Sequence, residues 1–307
     1  MEFWDKFVDI LWDSFLDSVK ILPIIFLVYV LIEFLESRES SGERMRKIFG
    51  GRYSPFFGAA VGVIPQCGFS VVATKLYQGG FVLTGTLMAV YIATSDEAIP
   101  ILFSKAVTEP SAFLGLALII GIKLLYAVLV GFLVNAVLKE KPKSFDEYVD
   151  DDHDDRSDEG CCHHHIKSKR ATVKTLLVHP LLHSLKIILY IFIVNLAFGV
   201  IIELVGGEQA LNSFLTSSAM LQPLFSALVG LIPNCASSVV ISEMFIDGHL
   251  TLGACLAGLC VNSGIATAVL LKDGKTIKRS LLIILAIFLF SLALGYAVSG
   301  IQALISI

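Results

Sequence analysis

Two stretches decide the reading of this chain: Val61–Ser70, VGVIPQCGFS, and Val229–Ser238, VGLIPNCASS. Each lies in a long apolar run, yet each carries a proline, an amide, a thiol and at least one hydroxyl. A proline removes a helical donor and forces the residue before it out of the α region. Both runs are therefore expected to break, at Pro65 and at Pro233.

The surrounding composition places these breaks in a membrane. Hydrophobic residues make up 55% of the 307 positions and charged residues only 16%. Mean hydropathy is +0.79. Soluble domains carry about 25% charged residues, so the composition points to an all-α polytopic membrane protein. Residues 21–35, 111–138, 187–205 and 280–305 are the cleanest apolar runs, and a span needs about 20 such residues. No basic patch interleaved with aromatics points to nucleic acid; the lipid membrane is the expected partner. The opening MEFWDKFVDILWDSF lacks the basic start of a signal peptide, and its apolar periodicity predicts an interfacial helix over 1–13. Six cysteines, four of them in apolar runs, do not form a secreted disulfide framework.

The two quoted stretches belong to a longer duplication. An offset of 168 residues aligns Phe57–Leu102 with Phe225–Leu270 without a gap, and 16 of the 46 positions are identical. Pro65 meets Pro233, Cys67 meets Cys235, Ser70 meets Ser238 and Ser95 meets Ser263, while Gln66 meets Asn234 and keeps the amide. The chain thus divides into a first membrane repeat over 1–138, a polar linker over 139–175 and a second repeat over 176–307. The linker is too charged to bury a core. It holds Asp152, His153, Asp154, Cys161, Cys162, His163, His164 and His165, a run rich in metal ligands whose spacing fits no zinc finger.

Basic residues orient the repeats. Lys139, Lys141 and Lys143 follow one span, and Lys272, Lys275, Lys278 and Arg279 precede the last. Loops near 206–212 and 243–249 hold no Lys or Arg. By the positive-inside rule the linker is cytoplasmic and both termini lie outside. Residues 53–103 and 213–271 must then cross in opposite senses, as inverted copies. Each copy crosses an odd number of times, which calls for a re-entrant pair of half-helices plus one crossing, or for three short crossings. Broken backbone is tolerated in lipid only where protein or a water-filled cavity covers it, and inverted repeats with broken helices build the midplane sites of secondary transporters.

The groups able to touch a solute follow from this. The first break offers Gln66, Cys67 and Ser70; its twin offers Asn234, Cys235, Ser237 and Ser238. A second motif, YIATSDEAIPIL, puts Ser95, Asp96 and Glu97 inside an apolar run. A carboxylate at bilayer centre costs about 2.5–3.5 kcal/mol, so the pair needs a cation, a proton or water. Convergence of adjacent carboxylates requires the helix to unwind locally, because on a helix they diverge by about 100°. The twin has Asn262 and Ser263 but no acid. Lys123, also mid-span, is expected either to counter Asp96 or Glu97 or to face an internal cavity. Oxygen ligands suit hard or borderline cations such as Mn²⁺, and the thiols suit zinc or trivalent arsenic. No phosphate-binding loop is present, so active transport would draw on an ion gradient, with Na⁺ or H⁺ as the coupling ion and no bound cofactor.

The motifs GVIPQCGFS, ATSDEAIP, GLIPNCASS and VNSGIATA resemble the ten-helix heavy-metal exporters, a family also labelled arsenic efflux proteins or manganese transporters. The resemblance covers the chain outside the linker. It implies ten membrane segments in two inverted sets of five, and export of a metal or metalloid. On matching positions it implies that Gln66, Cys67, Asp96, Glu97, Asn234, Cys235, Asn262 and Ser263 form the site. The leading expectation is a cation-exporting secondary transporter of the cytoplasmic membrane, with Mn²⁺ favoured and not an enzyme. An arsenical permease, a sodium-coupled organic-anion symporter and a membrane metal sensor are the alternatives. A homodimer is compatible with all of them.

Overall fold

The computed structural model describes residues 53–65, 67–95, 98–108, 110–140, 220–272 and 277–305, together with isolated positions in 8–51 and 181–200. Expectations for the spans at 21–35 and 187–205, the linker, and the residues Gln66, Asp96 and Glu97 fall outside these residues, as does the side chain of Cys67. The described part is helical throughout. Its helices are α1 (Ser54–Gly62), α2 (Cys67–Gln78), α3 (Thr84–Ala93), α4 (Ala98–Thr108), α5 (Pro110–Leu138), α6 (Gln222–Gly230), α7 (Ala236–Ile246), α8 (Leu252–Val261), α9 (Ala266–Lys272) and α10 (Ile277–Ile305).

Both proline stretches break the helix where the sequence requires. Helix α1 stops at Gly62 and α2 restarts at Cys67; α6 stops at Gly230 and α7 restarts at Ala236. The last turn before each proline tightens, with Ile64 N–H donating to Val61 O at 3.2 Å and Ile232 N–H to Val229 O at 3.1 Å. The unwinding expected near Ser95 is also present, between α3 and α4, and a matching one separates α8 from α9. Gly264 takes a positive φ of 57° in the second of these, a conformation open to glycine at little cost.

Each break reverses or re-aims the chain in a definite way. Gly58 of α1 faces Thr86 and Val90 of α3, and Gly62 faces Val90 and Ala93. Rising numbers meet rising numbers, so α1 runs parallel to α3. Thr74 of α2 meets Tyr91, and Tyr77 meets Thr84, so α2 runs antiparallel to α3. Helices α1 and α2 therefore form a hairpin, with α2 folded back along α3. In the other half, Gln222 lies by Thr251 and Ser226 by Gly258, while Ser237 lies by Asn262. The α6–α7 hairpin thus docks on α8 in the same way.

Small residues let these helices meet backbone to backbone, as they do in membrane bundles that lack a hydrophobic drive between helices. A Cβ on Gly230 would sit 2.3 Å from Gly258 O. One on Gly85 would sit 2.3 Å from Gly131 O, and one on Gly253 would sit 2.4 Å from Gly295 O. Hydroxyls and amides fix the register: Ser54 Oγ and Thr86 Oγ1 share a hydrogen bond at 2.6 Å, and Gly85 N–H donates to Asn135 Oδ1 at 2.9 Å.

Among the described residues, four stretches are long and apolar enough to cross a membrane: Thr84–Phe103, Phe113–Leu138, Leu252–Lys272 and Ile277–Leu304. The two that contain breaks are 75% and 94% buried, while the continuous ones are 28% and 22% buried. The broken helices therefore form the interior and α5 and α10 form a wall outside them. Leu125, Leu129 and Val137 on α5, with Leu282, Leu285 and Leu289 on α10, stand exposed on that wall. Such a surface marks contact with lipid or with another protein, and the length and hydropathy of the two helices fit lipid.

The glycine contacts yield a direct test. Gly253→Val should lower stability by about 1–3 kcal/mol through overpacking, because its Cβ meets Ser299 Oγ at 2.1 Å. Gly115→Val should leave the melting temperature unchanged, since nothing lies within 4 Å of its Cβ. Thermal unfolding of the two variants in one detergent checks the contrast.

Candidate functional site

The carboxyl ends of α3 and α8 arrive at one buried place. Both helices stop short, at Ala93 and Val261, and a helix end leaves its last carbonyls without partners along the helix. Lys123, from the middle of α5 and only 1% exposed, reaches between these ends. Its Nζ donates to Thr94 O at 2.7 Å, to Ser95 Oγ at 2.6 Å and to Leu259 O at 2.8 Å. The negative ends of two helix dipoles thus face one ammonium. Lys123 meets the segment directly before Asp96 and Glu97, the pair for which the sequence offered it as counter-charge.

In the second half the two breaks are stitched together. Asn234 Oδ1 accepts Ala236 N–H at 3.2 Å, and Asn234 O accepts Ser237 Oγ at 2.7 Å. Ser237 Oγ also accepts Asn262 Nδ2 at 2.9 Å, and Asn262 Oδ1 accepts Gly264 N–H at 2.7 Å. Ser263 Oγ pairs with Thr267 Oγ1 at 2.5 Å. One chain of contacts therefore runs from the proline break to the α8–α9 break. Ser238 instead turns back to Cys235 O at 2.7 Å, and Cys235 is buried.

Tyr91 ties the halves together. Fully buried on α3, its hydroxyl lies within hydrogen-bond reach of Thr74 Oγ1, at 2.5 Å, and of Ala266 O at the start of α9, at 3.1 Å, with one proton to share between them. Thr74 in turn donates to Ser70 O at 2.7 Å, which connects the first proline hairpin to the second half. Tyr126 on α5 donates to Phe290 O on α10 at 2.6 Å.

Of the residues expected from the sequence, Ser95 and Lys123 are brought together, and so are Asn234, Ser237, Asn262 and Ser263. Ser70 is buried on α2 and joins only through Thr74 and Tyr91. Among the described residues no three His, Cys, Asp or Glu side chains cluster to hold a metal ion. A cavity of about 1160 Å³ opens elsewhere, lined by Gly115, Leu118, Phe245, Leu252 and Tyr296 among others, and none of the expected site residues borders it. Sequence reasoning missed Tyr91, which reads as one more apolar position, and the Leu259 carbonyl, which carries no side-chain signal.

Broken helices packed inside a wall of lipid-facing spans define a multi-pass membrane protein with a polar centre. The family described as "Putative, 10TM heavy-metal exporter" matches residues 2–188 and 183–305. The chain belongs to that family, whose members are described as transporters rather than as enzymes. No curated protein and no solved structure matches the chain.

The stitch between the breaks can be tested by a double-mutant cycle. Asn262→Ala should cost about 1–3 kcal/mol, because it leaves the Gly264 N–H and the Ser237 hydroxyl short of a partner in a buried place. Ser237→Ala should lose less when made on top of Asn262→Ala than alone, with a coupling of about 0.5–3 kcal/mol. Denaturation midpoints of the four proteins in one lipid–detergent mixture give the coupling.

Proposed function

We propose that this heavy-metal exporter is a secondary transporter that moves a divalent cation, Mn²⁺ first among them, out of the cytoplasm through two inverted repeats. The observation that carries the reading is the meeting of two broken helix ends, α3 and α8, at a buried polar centre that includes Ser95, the residue before Asp96 and Glu97 in the sequence. Unwound carbonyls and helix carboxyl ends are the groups that coordinate cations in transporters of this architecture. Asp96 and Glu97 supply the negative charge, and Gln66, Ser95, Asn234, Asn262 and Ser263 supply neutral oxygens, a set suited to a hard or borderline ion.

Inversion of the repeats is supported by the placement of the helices. The bounds of α1 and α6 differ by 168 residues, as do those of α3 and α8. Thr84, at the start of α3, lies with Glu140 and Arg279. Gly253, near the start of α8, lies with Ser299 at the far end of α10. Helices α3 and α8 thus begin at opposite ends of the bundle. Lys139, Lys278 and Arg279 mark the first end, and exposed Glu243 and Asp247 mark the other. That polarity favours a cytoplasmic first end. The linker over 139–175 would leave from it as a metal-collecting arm, using Asp152, His153, Asp154, Cys161, Cys162 and His163–His165.

Asp96→Asn and Glu97→Gln should each abolish Mn²⁺ flux in proteoliposomes while the protein stays monodisperse. Wild-type flux in both would end this reading.

A second reading rests on Cys235, buried at the α6–α7 break, with Cys67 opposite it in the duplication. If the pair binds the substrate, the cargo is a thiophilic metalloid such as trivalent arsenic. Cys67→Ser and Cys235→Ser should then abolish arsenic or zinc transport, whereas Mn²⁺ transport through oxygen ligands should fall only modestly. Parallel flux assays on the same liposomes separate the two.

A further inference from the structure

The surroundings of Lys123 are those of a metal ion. Three oxygens from two separate helix breaks converge on its Nζ at 2.6–2.8 Å. Two of them are backbone carbonyls and one is a hydroxyl, and Thr94, Ser95 and Lys123 are all buried. Thr94 O comes from the extended residue that ends α3, with ψ at 132°. Leu259 O comes from the last turn of α8. A hard divalent cation such as Ca²⁺ takes oxygens at about 2.3–2.6 Å, so a shift of a few tenths of an ångström would let these three oxygens serve as part of a metal's ligand set. A lysine is a point charge on a flexible four-carbon stem, able to enter and leave such a nook without moving the helix that bears it.

We propose that Lys123 is a tethered cation that occupies the cargo's place, and that Thr94 O, Ser95 Oγ and Leu259 O ligate the metal once the ammonium withdraws. This inference rests on the export of a metal cation proposed above and adds a ligand set and an internal competitor to it. A built-in ammonium explains how two helix carboxyl ends and a hydroxyl stay buried together without cargo. It also sets a direction for substitution: removing the ammonium should favour metal binding and slow release, the opposite of what loss of an ordinary ligand does.

The test uses the full chain in nanodiscs with Lys123→Gln, Lys123→Ala and Lys123→Arg. Mn²⁺ should bind K123Q at least about tenfold more tightly than wild type, while K123R should bind no tighter than wild type. K123A lacks the three terminal carbons and the nitrogen, a space that n-propylammonium matches. Millimolar n-propylammonium should raise the melting temperature of K123A and compete with Mn²⁺ for it, and n-propanol should do neither. A folded K123Q that binds Mn²⁺ no tighter than wild type overturns the inference. So does stabilisation of K123A by propanol and propylammonium alike, which would make Lys123 a packing residue. If K123A does not fold, the K123Q and K123R affinities decide alone. Wild-type protein that moves no metal would sink the export reading, and metal export without tighter binding in K123Q would sink this inference alone.

Discussion

A helix that stops inside hydrocarbon must find protein partners for every backbone group it frees, since lipid offers none and each orphan costs several kcal/mol. Among the described residues, four helices stop in that way, at Gly62, Ala93, Gly230 and Val261, and much of the structure around them answers the need. Asn234 closes one gap through Ala236 and Ser237, and Asn262 closes another through Gly264. Lys123 closes two at once by bonding carbonyls from both α3 and α8. The polar centre is a structural requirement as well as a place for chemistry.

The same requirement explains why the packing around the centre is so close. Backbone contact at Gly85 with Gly131 and at Gly253 with Gly295 brings α5 and α10 against α3 and α8. Those two long helices screen the broken ones from lipid, which is why they are mostly exposed while the broken stretches are mostly buried. Contact between the halves combines two kinds: one hydrophobic core draws buried residues from both, and single polar bonds cross it, as in Tyr91 to Ala266, Tyr126 to Phe290 and the Lys123 bridge.

Much of this was legible in the sequence because proline, glycine and charge act locally. Pro65 and Pro233 announced their breaks, the Ser95 segment announced unwinding, and the runs 111–138 and 280–305 announced α5 and α10 nearly to the residue. The parallel packing of α1 on α3 was not legible, because it depends on Gly58 and Gly62 meeting Thr86 and Ala93 some thirty residues away. Nor was the Leu259 carbonyl, since every residue carries one and only a three-dimensional arrangement singles it out. Lys123 stood out as a mid-span charge, but its three acceptors come from two distant segments. The carboxylates Asp96 and Glu97, the most conspicuous residues of the sequence, follow Ser95 in the chain and fall outside the described residues.

The short hairpin arms bear on how the protein is made. Helices α1 and α6 have nine residues each, which at 1.5 Å per residue gives about 14 Å, half the thickness of a hydrocarbon core. Neither arm can be threaded across a bilayer as a self-sufficient span. The helices that cover them are α3 and α8, which are synthesised afterwards. Each hairpin must therefore wait at the surface or in the insertion machinery until the later helix arrives, so that assembly of each half runs backwards along the chain.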